Sequence, residues 1–480
     1  MLFNSYDFLI FFPIVVLLYY LIPKKVRWVW LLFASYWFYM GWNAKYAILL
    51  AASTLITYLS GLLLGKVTSH GKAAKCIVAC TFLSNLGILF FFKYFNFAIE
   101  NLNWILSKVG VELITPSFDV LLPVGISFYI FQALSYTMDI YREEVEPERN
   151  IFRYALFVSF FPQLVAGPIE RSKNLLKQIR ETHRFNYRQM CEGLLLMLWG
   201  YFLKLMIADR IAIFVDTAFA EDVMYDGKYM LLAVVLFAFQ IYCDFAGYTT
   251  IAMGAAQILG FRLMDNFNCP YFATSVSDFW RRWHISLSTW FRDYLYIPLG
   301  GNRKGKARKL CNLMVVFLAS GLWHGANWTY VIWGGLNGIF QVIGELFAPL
   351  KKIPIAKPIR ALVTFSLIDF SWIFFRSANL AQAGSVISRI CNWNDDTLLA
   401  NGGLYDMGLN KANWCVLLIS LLILLVADLL KYHGKKCREM ILNSFILVRW
   451  SICIVAIVGI IVFSVWGIGH EETVFIYFQF

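Results

Sequence analysis

Long apolar runs separated by short polar segments dominate this chain. A helix that crosses the hydrocarbon core of a bilayer needs about 20 mostly apolar residues, with a range of about 17 to 25. The pattern predicts about 11 or 12 such helices, because the first two runs are short and the pair at 311–347 also fits a re-entrant hairpin. The predicted spans are residues 8–22, 28–42, 46–64, 76–92, 120–138, 191–215, 230–259, 311–327, 328–347, 359–375, 414–430 and 450–468.

Composition supports this interpretation. The chain has 480 residues, of which 60% are hydrophobic, 18% aromatic and only 15% charged. Soluble domains carry about 25% charged residues, so this chain has too few polar side chains to cover several soluble domains. We therefore expect an all-α polytopic membrane protein, with re-entrant or interfacial helices between its spans. The first run lacks a basic segment and a cleavage motif before it, so we expect it to be retained as a span.

The excess of basic residues predicts the topology. Lys and Arg number 42 against 30 Asp and Glu, a formal net charge of +12, and the excess lies in short loops rather than in a nucleic-acid-binding surface. By the positive-inside rule we expect the basic loops in the cytoplasm and the loops poor in Lys and Arg outside. The basic segments are 24–27, 66–75, 171–188, 303–309, 351–360 and 431–438, and the poor ones are 216–226, 395–406 and the tail.

Twelve crossings place every basic segment inside and both termini outside. The apolar run 151–165 does not fit this scheme, since it leads directly into the basic segment 171–188. We therefore expect it to be re-entrant or interfacial. The whole chain is predicted to be one membrane domain, with N-terminal helices at 1–138, a core at 139–347, C-terminal helices at 348–468 and an extracytoplasmic tail at 469–480. Ten scattered cysteines without a C-x-x-C pair predict neither disulfides nor a metal site.

His324 is the ionisable residue that the sequence singles out most clearly. It belongs to the segment SGLWHGANW at 320–328 and lies about 20 Å along its helix from the basic loop. A histidine at that depth is costly and indicates function, and neutral imidazole can act as a general base. Gly321 and Gly325 would allow close approach of a backbone or substrate. The alternative is a core histidine that hydrogen-bonds two helices together.

His284 lies in a polar, aromatic interval between two predicted spans. The interval 278–301 is amphipathic and typical of a headgroup-level segment. Its tryptophans and arginines are Trp280, Trp283, Trp290, Arg281, Arg282 and Arg292. The arginines suit lipid phosphates and equally suit a phosphate-bearing donor, and the sequence does not choose between them.

Asp244 is a further charge at membrane depth, in the segment QIYCDFAGYTT at 240–250. It is expected to orient a histidine or to pair with an arginine. The chain contains no G-x-S-x-G, H-E-x-x-H, Walker A or G-x-G-x-x-G motif. A serine hydrolase, a zinc protease and a nucleotide-driven pump are therefore unsupported.

These segments together resemble the membrane-bound O-acyltransferase family, in its bacterial alginate O-acetylation branch. The matching segments are 121–142, 160–171, 240–261, 266–303, 321–338 and 475–480. The resemblance implies a multi-helix enzyme around a central tunnel, with His324 catalytic and His284 a second pocket histidine. It implies that acetyl-CoA, a substrate rather than a bound cofactor, enters past Arg281, Arg282, Trp283 and Arg303, and we assign Asp244 to substrate binding. Asn327, His284 or a backbone N–H would stabilise the oxyanion.

The C-terminal residues FIYFQF resemble a motif of systems that acylate cell-envelope polymers. Phe475, Tyr477 and Phe480 match the pattern F-x-Y-x-x-F, in which the tyrosine is proposed to carry the acyl group. A phenol, with a pKa of about 10, needs a base, which would give His324 a task. The alternative is an aromatic tail that anchors at the interface or docks a partner.

The leading hypothesis is an O-acetyltransferase of the bacterial inner membrane that serves an extracytoplasmic polysaccharide. The resemblance implies membrane lipids as surroundings, a polysaccharide acceptor and an SGNH-hydrolase-like partner outside the membrane. The alternatives are a D-alanyl transfer protein of the same family, which uses a carrier-protein donor, and a lipid or saccharide transporter. A transporter predicts similar Gly- or Pro-interrupted helices in the two halves, and none is visible.

Overall fold

The computed structural model describes residues 1–111, 122–165, 167–220, 226–347, 356–393, 403–467 and 475–476. Within these residues the regular elements are α-, π- and 3-10 helices, without a β-strand. The predicted all-α fold is therefore confirmed. The chain forms two compact units, residues 1–187 with 256–264, and residues 188–255 with 265–479.

Among the described residues, the first unit contains nine complete α-helices. Their bounds are α1 Tyr6–Leu21, α2 Arg27–Met40, α3 Ala47–Leu64, α4 Lys72–Leu89, α5 Phe95–Ser107, α6 Ile126–Tyr141, α7 Ile151–Ser159, α8 Phe161–Leu164 and α9 Ser172–Arg180. Helix α6 is buried at every position except Met138 and Tyr141, as expected for a helix that is enclosed by others on all sides. Its polar groups are satisfied within the unit: Gln132 donates to the Phe157 carbonyl at 2.6 Å.

Two features of this unit bear on the sequence prediction. Helix α4 continues through a π-helical segment, Phe90–Tyr94, into α5, so that the apolar helix runs from Lys72 to Ser107. The predicted re-entrant run is broken at Phe160 into α7 and α8. Since α7 has nine residues, it is about 14 Å long and too short to cross a bilayer of about 30 Å.

The second unit contains the remaining helices and every described residue of the predicted site. Their bounds are α10 Tyr187–Tyr201, α11 Asp209–Ala218, α12 Gly227–Ile258, α13 Val276–Arg282, α14 Ile285–Phe291, α15 Gly305–His324, α16 Trp328–Leu346, α17 Lys357–Arg376, α18 Leu380–Cys391, α19 Gly403–Asp406, α20 Lys411–Tyr432, α21 Cys437–Asn443 and α22 Ile446–Phe463. A π-helix, Phe202–Ala208, joins α10 to α11 without a break.

Helices α10 and α12 cross with their backbones in contact. A Cβ atom on Gly200 would lie 2.6 Å from the Gly247 carbonyl, and one on Gly254 would lie 2.5 Å from the Gly193 carbonyl. Small residues permit such close crossing in membrane helices. The same crossing brings the backbone of Lys204, in the π-helix, against Gly247.

Seven described helices are long and apolar enough to cross a membrane, and the shorter helix Tyr6–Leu21 is also apolar. The seven are Ala44–Leu64, Lys72–Ser107, Tyr187–Ala218, Gly227–Ile258, Lys357–Arg376, Lys411–Tyr432 and Ile446–Phe463. The other predicted spans coincide with helices that are shorter or more polar, among them α2, α6, α15 and α16. The predicted total of about 11 or 12 crossings and the predicted domain limits stay predictions.

Candidate active site

His324 is the last residue of α15, at the tip of a helical hairpin. The helix ends there because the next residue, Gly325, is fully extended with φ −163° and ψ 152°. The two arms of the hairpin pack backbone against backbone: a Cβ atom on Gly321 would lie 2.3 Å from the Tyr330 carbonyl. His324 is 4% exposed, so the hairpin holds its imidazole inside the protein.

His284 lies between α13 and α14 in a left-handed backbone conformation. Its φ of 42° is uncommon for a residue with a side chain, and such geometry persists only where neighbouring groups enforce it. Asn266 enforces it here, because its carbonyl accepts from Ile285 N–H at 3.0 Å and its side-chain oxygen accepts from Ser286 N–H at 3.1 Å. The His284 side chain is consequently buried, with 1% exposure.

The structure brings the two histidines together. Their ring centroids are 6.5 Å apart, and Trp323 contacts both rings, at 4.9 Å from His324 and 6.0 Å from His284. Trp333 and Phe375 complete the surroundings of His324, with centroids at 4.9 and 5.4 Å. Two imidazoles that are separated by forty residues in the sequence thus share one aromatic pocket.

Burial determines the charge of His284. This residue lies outside the candidate spans, and desolvation lowers its pKa to about 3. The ring is therefore neutral at physiological pH, with one nitrogen that donates and one that accepts.

Tryptophans form one wall of the pocket. Trp283, 1% exposed, has Phe279 stacked at 5.4 Å and Trp372 at 5.2 Å, and Trp372 in turn stacks on Trp333 at 5.6 Å. The indole N–H groups of Trp333 and Trp372 are buried and have no hydrogen-bond partner among the described residues. Buried donors of this kind are costly unless a ligand satisfies them.

The predicted arginines lie on the outside of α13. Arg281 is exposed and donates to Ser277 Oγ at 3.4 Å. Arg282 pairs with Asp278, with 3.1 Å between Nε and Oδ1, and its guanidinium covers the Tyr432 ring at 5.6 Å. Their contacts are with these residues rather than with either histidine, so they flank the pocket without entering it.

Asn327 has a structural task in the hairpin. Its side-chain oxygen accepts from Thr329 N–H at 3.0 Å and caps α16, while its amide donates to the Ala378 carbonyl at 2.8 Å. An amide engaged in this way is a poor choice for the oxyanion donor. The neutral imidazole of His284 and the indole N–H groups of Trp333 and Trp372 are the better candidates.

Asp244 belongs to a buried ionic cluster rather than to the histidine pocket. Lys204 Nζ lies 2.7 Å from Asp244 Oδ1 and 2.8 Å from Asp209 Oδ1. The side chains of all three residues are at most 5% exposed. Asp244 was expected to orient a histidine or to pair with an arginine. This expectation is wrong, because the ionic partner of Asp244 is Lys204.

Lys204, Trp333 and Trp372 were not predicted from the sequence. Lys204 had a signal, since it is a basic residue inside the predicted span 191–215, and charges at membrane depth indicate function. The tryptophans had none, because in a chain with 17 tryptophans no pattern separates pocket residues from lipid-facing ones. The tail residues Phe475 and Ile476 are described and buried, whereas the predicted carrier Tyr477 lies outside the described residues.

Apolar helices that enclose a pair of buried histidines indicate an integral membrane protein with a site suited to acid–base chemistry. Residues 148–379 match the model of MBOAT, the membrane-bound O-acyltransferase family. The chain is 39% identical to a probable alginate O-acetylase AlgI of Azotobacter vinelandii, over 88% of this chain and 83% of that protein. It is 32% identical to a peptidoglycan O-acetyltransferase of Helicobacter pylori, over 96% of this chain and 92% of that protein. A teichoic acid D-alanyltransferase of Streptococcus thermophilus is 26% identical, over 52% of this chain and 68% of that protein.

The chain belongs to the membrane-bound O-acyltransferase family. It is a multi-pass membrane protein and an O-acyltransferase. The predicted family and enzyme class are confirmed.

Proposed function

We propose that this protein moves acetyl groups from a cytoplasmic donor across the membrane for O-acetylation of an extracytoplasmic polysaccharide. His324 is the catalytic base and Tyr477 the acyl carrier. The observation that carries the proposal is the buried pair of histidines, 6.5 Å apart in one aromatic pocket. The extensive similarity to an alginate O-acetylase and to a peptidoglycan O-acetyltransferase supports acetyl as the group and an envelope polymer as the acceptor.

The chemistry requires a base and an oxyanion donor within reach of the same atoms. His324 takes the proton of the Tyr477 phenol, and the phenolate oxygen attacks the thioester carbonyl of acetyl-CoA. A C–O bond forms and the C–S bond breaks. The CoA sulfur leaves with the proton from the imidazolium, which gives free CoA and an acetylated tyrosine. An acceptor hydroxyl then attacks this ester and regenerates the phenol.

The neutral form of His284 suits the second task. An imidazole with a pKa of about 3 stays uncharged near neutral pH and retains one N–H. A donor that is already buried and fixed stabilises the developing oxyanion without reorganisation of solvent. The buried indole N–H groups of Trp333 and Trp372 are further donors in the same pocket.

The donor, the location and the partner are further parts of the proposal. Acetyl-CoA carries phosphates, and the exposed basic residues Arg281, Arg303 and their neighbours at 303–309 suit them as a cytoplasmic landing surface. The bacterial inner membrane is the proposed location, with both termini outside. An extracytoplasmic SGNH-hydrolase-like protein would receive the acetyl group and place it on the polysaccharide.

A second candidate is D-alanyl transfer from a charged carrier protein. The similarity to a teichoic acid D-alanyltransferase favours it, but that similarity covers 52% of this chain at 26% identity. The similarity to the alginate O-acetylase covers 88% at 39% identity. Acetyl transfer is therefore the first choice.

The test uses full-length protein in detergent with isotope-labelled acetyl-CoA, followed by mass analysis of the C-terminal peptide. We expect label on Tyr477 in the native protein and none in His324→Ala or Tyr477→Phe. Loss of a general base typically lowers the rate by about 10²- to 10⁴-fold. The same experiment is repeated with D-alanyl carrier protein as the acyl donor.

Each outcome selects a hypothesis. CoA release that needs His324 but leaves Tyr477 unlabelled would retain the acetyltransferase and reject the tyrosine as carrier. Transfer from the carrier protein alone would favour D-alanylation. Equal CoA release by native protein and His324→Ala would contradict the catalytic role of this histidine.

A further inference from the structure

The end of α22 contacts α11, and the chain just after it contacts the π-helix that contains Lys204. Arg210 donates to the Phe463 carbonyl, and Val465 N–H donates to the Leu205 carbonyl at 3.3 Å. π-Helical segments are rare and frequently occur at functional sites. The last span therefore ends beside the helices that carry the ionic cluster.

The cluster holds two carboxylates around a single ammonium group. Asp209 and Asp244 share Lys204 in a buried position. Buried carboxylates are costly unless hydrogen-bond donors surround them. Ile476 N–H donates to Asp244 Oδ2 at 2.8 Å, so a backbone amide of the tail provides one of these donors.

The neighbouring tail residue is held by aromatic contacts that lead to the histidine pocket. Phe475 is 1% exposed and stacks on Tyr248 at 4.7 Å, with 24° between the planes. It also contacts Phe245 at 5.5 Å, and Phe245 contacts His284 at 4.6 Å. A single phenylalanine ring thus separates the bound tail from one of the two histidines.

We propose that the Lys204–Asp209–Asp244 cluster is the docking seat of the C-terminal tail, and that Asp244 is a positioning residue that fixes Ile476. Tyr477 follows Ile476 after one peptide bond, so a seat that fixes Ile476 would tether the proposed acyl carrier. The role of the tyrosine rests on the proposed function, but the docking does not. A tail that merely anchors in the interface would need no buried carboxylate.

The first test measures docking without catalysis. Hydrogen exchange of the C-terminal peptides is followed by mass spectrometry on full-length protein in detergent. We expect slow exchange in the native protein and about tenfold or faster exchange in Asp244→Ala, because a charge-assisted hydrogen bond is lost. Asp369→Ala is the matched control, since Asp369 is a buried aspartate of the same unit on α17, a helix that packs against α13, α16 and α18. Exchange of the tail should stay native in that variant.

A second pair of variants leaves the ionic cluster intact. Ile476→Pro removes the N–H that Asp244 accepts, whereas Ile476→Val retains it and is the matched control. We expect Tyr477 acetylation to be about tenfold or more slower in Ile476→Pro than in Ile476→Val, which is the effect of one lost charge-assisted hydrogen bond. The substitution should lower the rate of acetylation at saturating acetyl-CoA and leave KM for acetyl-CoA unchanged.

The two proposals fail in different ways. Native-like exchange of the tail in Asp244→Ala would overturn the docking seat. Equal rates of Tyr477 acetylation in Ile476→Pro and Ile476→Val, in a protein that does label Tyr477, would also overturn it. If Asp244→Ala does not fold, Phe475→Ala replaces it and should give the same rise in exchange, and native-like exchange there would equally overturn the seat. A tail that is protected through Asp244 in a protein that never labels Tyr477 would support the seat while the proposed carrier role fails.

Discussion

His284 combines complete burial with a left-handed backbone, and both features constrain its imidazole. The two hydrogen bonds from Ile285 and Ser286 to Asn266 hold the turn, so the ring cannot move towards water to gain a proton. This rigidity suits a residue that must present a neutral N–H to a developing oxyanion. The protonation of His284 is therefore coupled to the stability of the folded protein.

We predict that the native protein becomes less stable as the pH falls from about 7 towards 4, in part because of His284. Its folded pKa of about 3 lies below the ordinary value of 6.5. The unfolded chain therefore binds the proton first, and the contribution of this group is complete above pH 6.5 and is lost as the pH falls towards 3. One proton accounts for a slope of at most about 1.4 kcal/mol per pH unit.

Thermal unfolding in detergent checks this prediction. The midpoint of His284→Gln should depend less on pH in this range than that of the native protein, because glutamine does not titrate. Parallel pH profiles of the two proteins would show that His284 is not the responsible group.

At the scale of elements, the hairpin of α15 and α16 explains why glycines surround His324. The extended Gly325 ends α15, and Asn327 caps α16. Gly321 and Gly334 face each other across the hairpin, where any Cβ atom would meet backbone at 2.3 Å. The sequence predicted close approach at Gly321 and Gly325, but it did not distinguish a neighbouring helix from a substrate.

We predict that Gly321→Ala destabilises the protein by about 1–3 kcal/mol and lowers acyl transfer, because the clash with the Tyr330 carbonyl forces the hairpin apart. Gly335→Ala is the matched control, since a Cβ atom there would meet only Leu318 Cδ2 at an ordinary 3.7 Å. Unfolding midpoints and transfer rates of both variants test the idea. Equal behaviour of the two variants would contradict it.

The elements also show what an apolar pattern can and cannot predict. Span 230–259 agrees with the helix Gly227–Ile258 to within three residues, and the difference lies at the N-terminal end, where Lys228 interrupts the apolar run. Span 76–92 was underestimated, because Lys93, Asn96 and Glu100 interrupt the apolar run although the helix continues to Ser107. Backbone hydrogen bonding and packing sustain a helix through such positions, and hydropathy alone does not register them.

At the scale of the whole molecule, the sequence identified the chemistry better than the arrangement. Burial at membrane depth singled out His324, and the resemblance added His284. The contact between Asp244 and Ile476 joins residues 232 positions apart. No periodicity or spacing encodes such a pairing, because it depends on how the last span returns to the π-helix around Lys204.

The topology is the part of the proposal on which transfer across the membrane depends. Two native cysteines report on its two sides. Cys437 lies within the basic segment 431–438, which is predicted to be cytoplasmic, and Cys391 is exposed at the end of α18, next to the predicted outer loop 395–406. Both positions lie outside the seven candidate spans, and Cys391 is exposed whereas Cys437 is partly exposed.

We predict that a membrane-impermeant maleimide labels Cys391 but not Cys437 in intact spheroplasts, and that both are labelled after permeabilisation, as read from peptide masses. The physical reason is the positive-inside rule, which retains short Lys- and Arg-rich loops in the cytoplasm. Cys391→Ser controls for assignment of the labelled peptide. The reverse pattern would place the basic loops and the entry of the acyl donor outside and the C-terminal tail inside. An acetyl group on Tyr477 would then face the cytoplasm, and the enzyme would have to acylate an acceptor on the donor's own side.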